Sequence, residues 1–527
     1  MKHDRTNLMV FRHLFASVAE EMGLALQQSS VSPNIKERRD YSCALLDAEG
    51  RLIAHAAHIP VHLGSAHLTV PAVLREIDPG PGDVIVLNDP HRGGTHLNDV
   101  TVVAPLYSGR RRLGFLMNRA HHADVGGAEP GSLSGARDLY GEGLRLPPVH
   151  LVRAGGRCEE IWRIVAANMR DPEAREADLM AQWASLRRGA ERFGDLRSRY
   201  GANATVAAMR SLLEHGSRLT AALLRSWPQG ESAAEDTLDG PGTPRIALKL
   251  RNRAGRLRLD FAGSSPQVPG SWNTHGAVTY SAIFYVLQAL ADEDLPETSG
   301  TLERTELLFP RASVISSEAP AGVAAGNVET SQRIVDVLLA ALRGLLPGRL
   351  PAASQGTMNN LTFGGRLPSD WRGAGRPGAE FVYYETLGGG AGGGPRGPGA
   401  SCVQTHMTNT RNTPVEVMEA ELPVRVHELA LRKRSGGTGR HRGGDGLVKE
   451  IEFLAPVRAA VTATRRATRP AGAEGGEDGR AGEDVVLSCG RRTKLGAGEP
   501  VALQAGDRLR IATPGGGGYG TSGSKWR

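Results

Sequence analysis

The sequence predicts a mixed α+β fold assembled from several regions. Short apolar runs bounded by Gly, Pro and Asp occupy residues 40–123, helical periodicity fills 158–226, and glycine-rich loops with short strands dominate beyond 350. At 527 residues the chain exceeds the usual single domain several-fold. It is expected to divide into an N-terminal α+β region (1–157), a helical segment (158–230), a middle α+β region (231–350) and a glycine-rich, β-rich C-terminal region (351–527).

Each element has its own signal. Residues 7–29 set Leu8, Phe11, Leu14, Phe15 and Val18 on one helical face, without Gly or Pro until Gly23. YSCALLDAEGRLIAHA reads as two strands around an AEG turn, PGPGDVIVLNDPHRGG as a strand running into a loop, and VTVVAPLYSGRRRLGFLMNRAHH as two strands around Ser-Gly. Residues 158–226 hold three helices rich in Ala, Leu, Glu and Arg. SWPQGESAAEDTLDGPGTP breaks that pattern and marks a boundary; alternating strands follow in RIALKLRNRAGRLRLDFAG. A helix near 275–292, a strand near 304–309 and a helix over 329–345 complete the middle region, and no fixed-period repeat suggests a solenoid.

Composition narrows the function. The excess of 63 basic over 56 acidic residues is small and scattered, which disfavours nucleic acid as a partner. No apolar run approaches the length of a membrane span. Cys43, Cys158, Cys402 and Cys489 are far apart with no CxxC pair, as expected in a reducing cytoplasm. Neither GxxxxGK[ST] nor a GxGxxG between a strand and a helix occurs, so the glycines, 68 in all, favour a lid or close backbone packing over a nucleotide cradle. Near them Glu385, Cys402 and His406 could suggest a thiol nucleophile, but nothing marks Cys402 as activated.

The densest chemistry lies between Asn88 and Asp124. His96 and Asp99 close a loop onto a strand, and His121, His122 and Asp124 follow the return strand, so one turn of chain can bring the two clusters together. Imidazole and carboxylate without a nearby thiolate suit zinc, manganese or iron in an open site that polarises a carbonyl or activates water. The same residues could equally be polar loop groups bonded to backbone. Asp40, just before a strand, is either a further ligand or a strand-entry cap. His55 and His58 read as surface residues of an amphipathic stretch, whereas His62 and His67 could line the site. Asn327 or Thr330 could cap the helix after 329 with Glu329 against its positive end, and that end, with Glu329 and Arg333, is also a candidate contact with an anionic substrate group. His406 and Asn409 lie in a polar loop after the glycines, the other candidate contact with substrate.

Nine ordered blocks carry a resemblance: ERRDYSCALLDAEG, NDPHRGGTHLNDVTVVAPLY, RAHHADVGG with GEGLRLPPV, LDFAGSSPQVPGSWN, NVETSQRIVDVLLAAL, ETLGGGAGGG, HMTNTRNTPVEVMEAELPV, GGTGRHRGGDG and TPGGGGYG. Over almost its whole length the chain resembles the B subunit of the hydantoinase/oxoprolinase family, relatives of N-methylhydantoinase, 5-oxoprolinase, caprolactamase and the acetone carboxylase α subunit. TATRRATRPAGAEGGEDGRAGED departs from the family pattern in a loop.

The resemblance implies a divalent metal on Asp40, His96, Asp99 and His121, with His122 or Asp124 as general base. It implies ATP-dependent opening of a small cyclic amide, with ATP bound by an A-type partner that this chain, lacking any such region, would meet as a separate polypeptide in a hetero-oligomer. Acetone-carboxylase-like chemistry and a non-catalytic scaffold are the alternatives.

Overall fold

The computed structural model describes residues 2–56, 59–291 and 294–521. Its first unit is a seven-stranded antiparallel sheet: β1 (Tyr41–Asp47), β2 (Leu52–His55), β3 (Val84–Leu87), β4 (Asp99–Ser108), β5 (Arg111–His121), β6 (Val149–Arg153) and β7 (Gly156–Arg157), in the order β2-β1-β5-β4-β3-β6-β7. Strand alternation divides its side chains between two layers. Tyr41, Cys43 and Leu45 join the core under the N-terminal helix Lys2–Ser29 and the helices Pro172–Tyr200 and Ala202–Ser226; Ala44 and Leu46 pack on the other face against Val70 and Val73 of helix Ala66–Leu74. Phe15 and Val18 of the N-terminal helix are fully buried, with Leu8, Phe11 and Leu14 beside them, as their spacing predicts.

Three helices do occupy 158–226: Glu159–Asn168, Pro172–Tyr200 and Ala202–Ser226. They share the core of the first sheet instead of forming a layer of their own. The last one bridges two cores, with Leu212 and Leu213 in the first and Leu223 and Leu224 in the second.

The second core lies between helices Gly276–Ala289 and Ser331–Leu345 and a four-stranded sheet ordered Thr305–Leu308, Arg256–Asp260, Arg245–Arg253, Gly230–Thr237. The last of these strands falls within the stretch read as a boundary. GESAAEDT has few β-branched or aromatic residues, yet it pairs along its whole length with Arg245–Arg253 as an edge strand, with Glu231, Ala233 and Glu235 exposed.

In the C-terminal region two sheets share one core. One contains Asn360–Arg366, Glu380–Thr386, Val457–Thr462 and Val501–Leu503; the other contains Val424–Arg432, Gly446–Phe453, Arg508–Ala512, Glu483–Ser488 and Arg491–Lys494. The glycine-rich segments adopt close backbone packing, one of the two readings of the sequence. They pack backbone on backbone: Gly390 N donates to Pro514 O, Ala391 N to Ala400 O, Gly444 N to Ala391 O, and Gly516 N to Gly444 O, at 2.8–3.0 Å. A β-carbon on Gly444 would lie 1.9 Å from Ala400 O and one on Gly516 2.0 Å from Ala391 O, so only glycine fits.

All four cysteines are free thiols, and no described helix is long and apolar enough to cross a membrane. Gly516→Ala is expected to cost at least about 1–3 kcal/mol through overpacking, read as an earlier unfolding midpoint in denaturant. An unchanged midpoint would show that the stack can open.

Candidate metal centre

The site forms at one end of the first sheet because of register. Asp99, the first residue of β4, pairs with His121, the last of β5, and Thr101 pairs with Arg119. These four therefore face one side. The backbone N–H of His121 donates to Asp40 O at 2.9 Å, which brings the entry to β1 alongside. His96 reaches the same point from the loop before β4.

His96 Nε2 stands 3.0 Å from Asp99 Oδ1, His121 Nδ1 3.3 Å from the same oxygen, and the two ring nitrogens 3.3 Å from each other. All three side chains are buried, and they form a group able to hold a metal ion. The spacing fits that role. Ligands about 2.0–2.1 Å from a tetrahedral ion lie about 3.3 Å apart. Among the described residues Asp99 Oδ1 makes no hydrogen bond of good geometry although it is buried, and His121 Nε2 has no hydrogen-bond partner either.

Electrostatics agree. Burial alone would raise Asp99, but the His96, His62 and His121 imidazoles hold it well below the usual carboxylate range. Burial also opposes charge on His96, yet the neighbouring Asp99 raises its pKa, while burial lowers that of His121. A positive charge is thus favoured among these three groups, and a divalent cation can supply it in place of a proton.

The surroundings fix these side chains. His96 Nδ1 lies 3.4 Å from Ala324 O, and Ala324 N donates to Glu142 Oε1 at 2.9 Å; burial pushes the Glu142 carboxyl up to about 7. Tyr384 stacks on His121 with ring centroids 4.5 Å apart, and the Arg38 guanidinium sits 4.5 Å from the Tyr384 ring. The outer oxygen of Asp99, Oδ2, accepts from Thr95 Oγ1 at 2.7 Å and Asn327 Nδ2 at 3.4 Å, and His62 Nε2 lies 3.2 Å away. Asn327 arrives there on a single π-helical turn, Gly326–Thr330, an irregularity often found at functional sites. Its lead residue is fixed by close packing, because a β-carbon on Gly326 would lie 1.7 Å from Asn273 O.

The other expected residues are placed as follows. Asp40 is buried with its carboxylate 3.7 Å from Arg38, next to the three-residue group but not counted in it. His122 points to the opposite side of the sheet, with Nε2 3.0 Å from Gln182 Oε1, and burial lowers its pKa to about 4. Asp124 is a loop clamp: Oδ1 accepts from Gly126 N and Arg170 N, Oδ2 from Gly131 N and Arg170 Nη1. Neither environment supports a general base at the centre.

Glu329 and Arg333 are buried in structural networks. Glu329 Oε1 accepts from Met358 N and Asn360 Nδ2, and Oε2 from Thr464 N and Oγ1, all at 2.9 Å. Arg333 is held by Asp236 and Asp336. His406 Nδ1 meets the Tyr285 hydroxyl at 3.2 Å. Asn409 is exposed and lines a cleft of about 400 Å³ with Arg39, Tyr41 and Arg411. His55 pairs with Glu297, His67 packs on Tyr280, and His58 lies outside the described residues. Sequence patterns had no means of finding Tyr384, Arg38, Glu142 or the π-turn, which are joined to the site only by tertiary packing.

The fold and this site define a class. The family model for hydantoinase B/oxoprolinase matches residues 4–522, and the chain belongs to that family. It is 38% identical to 5-oxoprolinase 1 of Arabidopsis thaliana over 98% of its own length, but spans only 42% of that protein. Among solved structures it matches the ATP-dependent caprolactamase of Pseudomonas jessenii with a TM-score of 0.88 and 26% identity, covering 98% of this chain and 91% of that one. It also shares its fold with a nucleotide-free acetone carboxylase, with a TM-score of 0.86 and 15% identity over 97% of this chain and 75% of that one.

His122 gives a pH-dependent outcome. An unfolded imidazole takes up a proton near pH 6.5, whereas folded His122 resists until about pH 4. Its contribution to stability is therefore complete above pH 6.5 and lost as pH falls toward 4. Denaturation midpoints of His122→Gln are expected to fall less steeply over that window than those of the wild type; parallel curves would contradict it.

Proposed function

We propose that this chain is the metal-bearing component of an ATP-dependent enzyme that opens small cyclic amides such as 5-oxoproline, hydantoin or a lactam. The observation that carries the reading is the convergence of His96 Nε2, His121 Nδ1 and Asp99 Oδ1 on one buried point, in a chain whose named relatives are a 5-oxoprolinase and an ATP-dependent caprolactamase. Asp40 is the proposed fourth ligand, adding a second carboxylate to offset a divalent charge, with zinc, manganese or iron all compatible with the donor set.

When bound, such an ion supplies Lewis acidity for attack on the amide carbon. The chain's own residues orient and insulate. Ala324 O fixes the His96 ring, Tyr384 covers one face of His121, and the sheet and its two helical layers exclude bulk water. Resonance makes the amide C–N bond unreactive; ATP, handled by an A-type partner, would phosphorylate the carbonyl oxygen and remove that resonance. After water adds to the carbon, the protonated ring nitrogen could leave and the resulting acyl phosphate be hydrolysed to carboxylate and phosphate. We assign that partner to a separate polypeptide in the cytoplasm. The fold occurs both as 42% of the long Arabidopsis 5-oxoprolinase and as nearly the whole of a caprolactamase chain.

Co-expression with a candidate A-type chain, followed by assay of ATP-dependent ring opening of 5-oxoproline, hydantoin and caprolactam, tests this. One substrate should be consumed, and His121→Ala should lower both metal content and turnover by roughly 10-fold or more. Bicarbonate-dependent carboxylation instead of ring opening would replace the hydrolase reading. Metal-replete complex inert toward all of these would sink it.

A further inference from the structure

Among the described histidines of the 55–67 stretch, His62 is the one whose ring meets the cluster, and no role follows for it from the ligand set. Its ring is buried, with Nε2 3.2 Å from Asp99 Oδ2 and Nδ1 3.0 Å from Ser42 Oγ. An ionised carboxylate only accepts hydrogen bonds, so Nε2 carries the proton that faces Asp99; the Ser42 hydroxyl can then donate to Nδ1. One tautomer satisfies both partners.

Asp99 is divided between two tasks. Oδ1 faces the ring nitrogens of His96 and His121 and makes no hydrogen bond of good geometry with a described residue, whereas Oδ2 is engaged by Thr95, Asn327 and His62. Thr95 lies in the loop that leads directly into Asp99, and Asn327 makes the longest of these contacts. His62 comes from the short helix Pro60–Leu63, which is anchored elsewhere: Val61 N donates to Met407 O at 3.2 Å, and a β-carbon on the following Gly64 would lie 2.4 Å from Ser281 in helix Gly276–Ala289.

We propose that His62 is a positioning residue for the metal centre. It holds Asp99 Oδ2 so that Oδ1 alone is presented to the ion, and Ser42 holds the His62 ring. This rests on the reading of His96, Asp99 and His121 as a metal centre, but not on the substrate or on ring opening. Because its helix is wedged against the second core and the 405–410 loop, His62 also carries the packing of those parts to the ligand. Outer partners of this kind typically alter metal affinity ~10- to 100-fold.

The test uses the full chain stripped of metal, titrated with zinc or manganese against a chromophoric chelator, in the wild type, His62→Leu and His62→Gln. The Leu variant should bind ~10- to 100-fold more weakly. The Gln variant, whose terminal N–H₂ can donate to Asp99, should recover most of that loss. Melting temperatures of the metal-free proteins, measured alongside, separate a loss of affinity from a loss of fold. Wild-type affinity in the Leu variant overturns the proposal, as does a melting defect that tracks the affinity without rescue by Gln. A wild type that binds no metal overturns the metal centre and this proposal with it. Normal metal binding and rescue in a complex without ring-opening activity would count only against the proposed reaction.

Discussion

The register of one antiparallel pair underlies the site. With Asp99 opposite His121 across β4 and β5, carboxylate and imidazole share a face of the sheet, and His96 needs only the preceding loop to join them. Side chains alternate along a strand, so a slip of one residue would send His121 to the opposite layer. His122 shows what that layer offers: Gln182 of the long helix Pro172–Tyr200, whose amide oxygen lies 3.0 Å from its Nε2. Sheet register is therefore the first determinant of the chemistry, ahead of any individual ligand.

Burying charge at this point requires compensation. Asp99 is surrounded by imidazoles and hydroxyl or amide donors, and Arg119 lies on the same face, its guanidinium bonded to Thr101, Ser65, Thr69 and Gly93 O. Burial lowers the pKa of Arg119 to about 10, against the pull of Asp99. A fixed positive group two residues from His121 thus helps keep Asp99 ionised. A buried charge that is paired or bonded in this way persists where an isolated one would neutralise.

Much of this was legible in the sequence, for identifiable reasons. The helix 7–29 and the hairpins of the first sheet announce themselves by apolar period, and His96, Asp99 and His121 by two polar clusters separated by strand-like runs. What was not legible depends on distant packing or on backbone that side-chain patterns do not describe. The strand Gly230–Thr237 has poor β formers and is held by its neighbour's ladder. The π-turn before Ser331 looks like an ordinary helix start, so capping was expected where Thr330 Oγ1 instead donates to Trp272 O. His122 and Asp124 adjoin the centre in sequence but face other partners, while Glu329 and Arg333 join the middle and C-terminal regions through buried polar networks.

The glycine stack has a consequence of another kind. Its segments carry almost no regular secondary structure, yet their amides bond to carbonyls in other strands of the stack and lie too close for solvent or a methyl group to enter. By hydrogen exchange such loops should behave as a core does, with protection reaching that of the neighbouring sheets. Apparent irregularity in this part of the chain is therefore a poor guide to where proteases could cut or insertions be tolerated. Rigidity here resides in the peptide groups themselves.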